Sequence, residues 1–97
     1  SGYIKKANEA ADYAQLDAIK TAVVFASTDK QVKEGNTYED ITTITVTNGQ
    51  VSVEPTSAAV TNVEVTKYYK ISDFKFKSDN TKAVWTAAEA KWVLSKS

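Results

Sequence analysis

From Tyr3 to Ala26 the chain reads Tyr-Ile-Lys-Lys-Ala-Asn-Glu-Ala-Ala-Asp-Tyr-Ala-Gln-Leu-Asp-Ala-Ile-Lys-Thr-Ala-Val-Val-Phe-Ala. The stretch holds neither Gly nor Pro and returns repeatedly to alanine, the residue with the highest helix propensity. Opposite charges at Lys5 and Glu9, and at Asp17 and Lys20, stand at spacings that meet on a helix surface. The reading is a helix over residues 3–26, roughly 36 Å long at 1.5 Å per residue. Steps of about 100° per residue divide it into three regions. Tyr3, Ile4, Ala7, Ala10, Ala11, Ala14, Ala18, Ala22 and Phe25 share one arc, and Lys5, Lys6, Glu9, Asp12, Asp17 and Lys20 occupy the opposite one. Leu16, Ile19 and Val23 add a second apolar patch in the C-terminal half only. One helix on one sheet needs one apolar stripe, and the large side chains Leu16, Ile19 and Val23 suit that core. The small side chains of the alanine arc bury little area in a monomer but allow close helix–helix approach. The arc is therefore expected to face other copies of the chain.

Beyond the helix, residues 27–40 are polar, with Gly35-Asn36 as breakers, and read as a connecting loop. Ile41–Val46 and Val51–Val53 flank Asn48-Gly49, a hairpin signal that calls for positive φ at both central residues. Val63, Val65, Lys67, Tyr69 and Ile71 alternate at period two and predict a strand, with a bulge or corner near Ser72-Asp73 before Phe74 and Phe76. Val84–Thr86 and Lys91–Leu94 fit either two short strands or a helix, and strands are favoured. The expectation is a single α+β domain over residues 1–97: a long N-terminal helix on an antiparallel β-sheet meander spanning 41–97. Ser1-Gly2 reads as a cloning scar.

Ninety-seven residues are enough for one domain, and 42% hydrophobic residues support a real core. Twelve cations balance 12 acids, and no basic run exceeds Lys5-Lys6, so the footprint of a nucleic-acid binder is missing. There is no cysteine and no histidine, which removes thiol and imidazole chemistry and the usual zinc site. Catalytic, cofactor-binding and metal residues are expected to be none.

Local motifs point the same way. Ser27-x-x-Lys30 and Ser78-Asp79-Asn80 imitate two serine β-lactamase signatures, but no Lys-Thr-Gly follows and the chain is far too short to position them. Glu39-Asp40, or Asp73 with Asp79, could offer oxygen ligands to calcium, yet no EF-hand loop is present. Tyr68, Tyr69, Phe74, Phe76, Trp85 and Trp92 read as core and cross-strand aromatics rather than as a sugar platform. Gln31-Val-Lys-Glu-Gly35 is similar to the Gln-x-Val-x-Gly loop of cystatin-type inhibitors, with Lys33 in place of the central valine. A solvated linker is the favoured reading of that segment.

The stretch Lys6–Val24, followed by a polar loop and antiparallel strands, resembles the type IV pilin family, in the segment after its hydrophobic N-terminus. The resemblance covers about a quarter of the chain directly. It implies a structural subunit, not an enzyme, built into a helical filament at the cell surface and held in the cytoplasmic membrane before assembly. Its partners would be copies of itself and the pilus assembly machinery, with membrane contact only through an apolar segment preceding Tyr3. That segment is expected to have been trimmed ahead of this chain, and the lack of a C-terminal disulfide loop fits a short or Gram-positive-type pilin whose last strands are held by packing. The packing face it implies is Tyr3, Ile4, Ala7, Ala10, Ala11 and Ala14; the isolated domain would be a monomer. A pseudopilin of a type II secretion or competence system is the alternative, and a cystatin-like binding module the alternative of another class.

Overall fold

The computed structural model describes residues 2–97 and shows the expected α+β architecture. Helix α1 (Gly2–Glu34) is followed by strands β1 (Thr43–Thr47) and β2 (Gln50–Glu54), a short helix α2 (Asn62–Val65), and strands β3 (Lys82–Thr86) and β4 (Lys91–Ser95). At 33 residues α1 is about 50 Å long, so it runs the whole 51 Å length of the molecule.

The helix does not stop at Ala26 as its sequence suggested. Residues 27–34, read as the start of a linker, form its last two turns. Polarity misled because these turns need bury only one side. Gln31 Nε2 donates to the Ser27 carbonyl and hydroxyl at 3.2 and 3.0 Å, and Lys33 meets Asp29 at 3.0 Å. The true stop is Gly35, whose φ of +68° suits glycine and whose N–H returns to the Gln31 carbonyl at 2.9 Å.

The four strands form one antiparallel sheet in the order β2-β1-β3-β4. It is two hairpins joined edge to edge rather than a sequential meander. Val53, Ile44, Trp85 and Trp92 line up across it in one row, and Val51, Val46, Ala83 and Leu94 in the next. Both rows face α1, where Leu16, Ile19 and Val23 are completely buried and Ala22 and Ala26 nearly so. Ser52, Thr45, Val84 and Val93 form a row on the opposite, uncovered face. The β3–β4 hairpin confirms the strand reading of the C-terminal segment. At Asn48-Gly49 the hairpin forms as expected, but only Gly49 has positive φ (+76°). Asn48 instead uses its side-chain oxygen to accept the Phe76 N–H at 3.2 Å.

The strand expected over residues 63–71 is absent. Thr61-x-x-Glu64 is a capping sequence: the Thr61 N–H donates to Glu64 Oε2 at 3.1 Å and opens α2. Val63 is left 70% exposed while Val65 and Ile71 are buried, so burial does not follow the apparent alternation. A 3-10 turn at Ile71–Asp73 stands where a corner was expected, leading into buried Phe74 and its edge-on contact with Phe76.

Candidate interaction face

The two sides of α1 are built from different residues. On the sheet side, Asp12 precedes Leu16 by one turn and is fully buried, although its charge had placed it on the solvent arc. Its carboxylate accepts the backbone N–H of Lys77 at 2.6 Å and of Ser78 at 3.3 Å, and also the Ser78 hydroxyl. One turn earlier, Glu9 accepts from Asn80 Nδ2 at 3.1 Å. These contacts fasten the 77–80 loop to the helix. Before Asp12 no described helix residue is fully buried, and residues 2–7, all exposed, form a short stem.

Spacings of three and four residues place Tyr3, Ala7, Ala10, Ala14, Ala18, Thr21, Phe25, Thr28 and Val32 on the side away from the sheet, and every one is exposed. Of the expected packing face, Tyr3, Ile4, Ala7, Ala10 and Ala14 lie exposed, whereas Ala11 is half-buried and turns toward the flank. Ala22, once grouped with the alanine arc, belongs to the core. Most exposed large apolar side chains belong to α1 or its neighbours: Tyr3, Phe25 and Val32 lie on this side, Ile4, Tyr13 and Val24 on the helix flanks, and Val63 and Tyr68 beside its far end. Phe25 and Tyr68 are in ring contact, with centroids 5.9 Å apart. Among the described residues, Val93 is the one other large hydrophobic side chain so exposed. Sequence reasoning ended the stripe at Phe25. Thr28 and Val32, with Tyr68 alongside, were hidden by the polar residues around them.

At the far end of α1, Lys30 Nζ donates to Glu64 Oε1 at 3.1 Å and to the Ala59 carbonyl at 2.9 Å, joining α1 to α2. Burial pushes the Glu64 carboxyl up, but hydrogen bonds from Thr61 and Lys30 outweigh it and hold the group down to about 2. The Glu64 hydrogen bond correspondingly raises Lys30 above its usual value. A cleft of about 280 Å³ lies between α1 and the 38–41 loop, with Ile44 and Trp85 at its base; Lys20 Nζ sits 4.9 Å from the Trp85 ring centroid.

The other candidate motifs resolve into structural contacts. Ser27 and Lys30 are spent on Gln31 and Glu64, and Ser78 on Asp12 and Asn80. Asp73 and Asp79 pair with different lysines, Lys70 at 3.9 Å and Lys96 at 2.9 Å. Among the described residues no three acidic side chains converge as a metal site would require. Gln31–Glu34 is neither a linker nor a cystatin-type hairpin loop, since it lies within α1. Phe74 and Trp92 are core, and Tyr69, Phe76 and Trp85 pack against it. The described residues contain no helix long and apolar enough to cross a membrane. Comparison with protein-family models, curated proteins and solved structures returned no match.

Proposed function

We propose that this chain is the head of a filament subunit of the type IV pilin kind, joined to its copies through the outward side of α1. The observation that carries the reading is the division of that helix. One side is consumed by the sheet, and the other presents small side chains with Tyr3, Phe25 and Val32 along most of its length. Small residues let helices approach closely, and a soluble monomer gains nothing from leaving so much apolar surface on one line. In this reading the protein is a structural component of the cell surface and not an enzyme. Its partners are other copies and the machinery that assembles them, and any membrane contact comes through sequence preceding Tyr3.

Cover by sheet on one side of the helix would also suit a cystatin-like module. That alternative loses its recognition loop, because Gln31–Glu34 is helical.

The test is Ala14→Glu in the full gene, with filaments counted on cells and the head's melting measured in parallel. Loss of filaments with an unchanged head is expected. Normal filaments carrying the charge would overturn the reading.

A further inference from the structure

Formal charge on this chain sums to zero, but it is unevenly distributed along the 51 Å axis. The stem end is defined by the contacts of Asp12 and Glu9 with the 77–80 loop and by the hollow that Lys5, Lys77 and Asp79 line. Contacts there place Lys5, Lys77 and Lys96 against Glu9, Asp12 and Asp79, and the adjoining stretches of chain add Lys6, Lys75 and Lys82. The far end is defined by the last turns of α1, the 38–41 loop, the end of β2 and α2. It gathers Asp29, Glu34, Glu39, Asp40, Glu54 and Glu64 against Lys30, Lys33 and Lys67. The six charged residues between them balance. The two ends thus carry equal and opposite excesses.

Internal pairing sharpens the difference. Asp29 and Glu64 are spent on Lys33 and Lys30, which leaves Glu34, Glu39, Asp40 and Glu54 exposed against Lys67 at the far end. Lys96 is spent on Asp79, which leaves Lys5, Lys6, Lys75 and Lys77 exposed at the stem end. Each end also offers exposed apolar surface among its charges, Tyr3 at one and Val32 with Val63 at the other. An apolar centre with a charged rim is the ordinary anatomy of a protein interface.

We propose that the two ends recognise each other in successive copies, the basic stem end of one seating on the acidic far end of the next. The proposal rests on the filament reading and supplies what a helix stripe lacks, an axial register. Copies packed side by side, parallel and level, would set lysines against lysines and carboxylates against carboxylates. A shift along the axis brings unlike ends together. A contact between two different patches of one chain is heterologous, and it propagates as an open filament unless its rotation closes a ring. Because ions screen exposed charges within about 8 Å at physiological salt, the attraction acts at contact and weakens as salt rises.

The experiment is sedimentation of the 97-residue chain at an ionic strength of about 0.01 M, where screening extends to roughly 30 Å. Average mass should climb with concentration past that of a dimer and collapse toward the monomer on adding salt. Two charge-reversed variants, Lys5→Glu/Lys6→Glu/Lys77→Glu and Glu39→Lys/Asp40→Lys/Glu54→Lys, should each lose self-association. An equimolar mixture of the two should regain it, since each then carries the end the other needs. No association of the unaltered chain, a plateau at the dimer, or failure of the mixture to associate would overturn the proposal. So would recruitment to anionic phospholipid vesicles with no self-association, which would assign the lysines to a lipid surface. Ala14→Glu should leave this behaviour intact. If that variant abolished association while both charge reversals were silent, the helix stripe would stand and the end-to-end contact would fall.

Discussion

The sheet side and the outward side of α1 share one backbone and follow opposite rules. Toward the sheet, a large side chain or a satisfied polar group occupies each turn from Asp12 to Lys30, and little room is left for change. On the outward side the middle turns carry alanine and threonine, and nothing in the head depends on them. The first side explains why the domain folds. The second must be explained by something outside the domain, and that contrast underlies the functional proposal.

The comparison breaks most visibly at Leu16. Leu16→Ala should lower the unfolding free energy by about 2–5 kcal/mol, because a fully buried leucine leaves a cavity in a packed layer; chemical denaturation measures it. A value near zero would mean that α1 does not dock as described. Asp12→Ala should cost about 1–3 kcal/mol by stranding the Lys77 and Ser78 amides. Hydrogen exchange at those two amides should rise with it, whereas a loop held by packing alone would keep its protection. Gly35→Ala should cost about 1 kcal/mol, since a Cβ there meets open space and the penalty comes only from positive φ.

The Lys30–Glu64 tie gives the comparison a pH dependence. Glu64 is held below its ordinary 4.5, at about 2. Its contribution is therefore complete above the ordinary value and is lost as pH falls from there through the lowered one. Lys30, raised above 10.5, contributes fully below that value and loses its contribution only as pH climbs past it. Glu64→Gln should remove the acid-side part of this dependence from a series of thermal melts, and an unchanged profile would place the acid sensitivity elsewhere. The smallest effect belongs to the outward side: Ala14→Glu should shift head stability by no more than about 0.5 kcal/mol, as exposed substitutions generally do.

Much of this division was legible in the residues. Leu16, Ile19 and Val23 were marked as core by size and spacing, and the alanine arc was separable from them before any coordinates. The first hairpin was legible from β-branched runs around Asn48-Gly49, whereas the second was only the favoured of two readings because Ala87-Ala-Glu-Ala90 carries no turn signal. The misreadings share a physical cause, a local pattern satisfied by a partner far along the chain. Asp12 looked like a solvent residue because its amide donors lie more than 60 positions away, in the 77–80 loop. Residues 27–34 looked like a loop because the contacts of Lys30 lie in residues 59–64. The Val63–Ile71 alternation imitated a strand, whereas Thr61 and Glu64 held the overlooked helix-start signal.

The absence of cysteine in the chain allows a clean test of the central claim. Single cysteines would be placed at Ala14, on the outward side of α1, and at Thr45, on the uncovered sheet face, in separate full-length genes, and fibres sheared from the cells would be oxidised. A disulfide needs Cα atoms within about 7 Å, so it reports close approach of two copies through the oxidised position or one adjoining it. Pairing Ala14→Cys with a second cysteine at Ala10, Ala18 or Thr21 covers the registers a helix–helix contact can take. Inter-subunit dimers from at least one of these stripe combinations, and none from Thr45→Cys, are the predicted result. Dimers through Thr45 with none from any stripe combination would contradict the account.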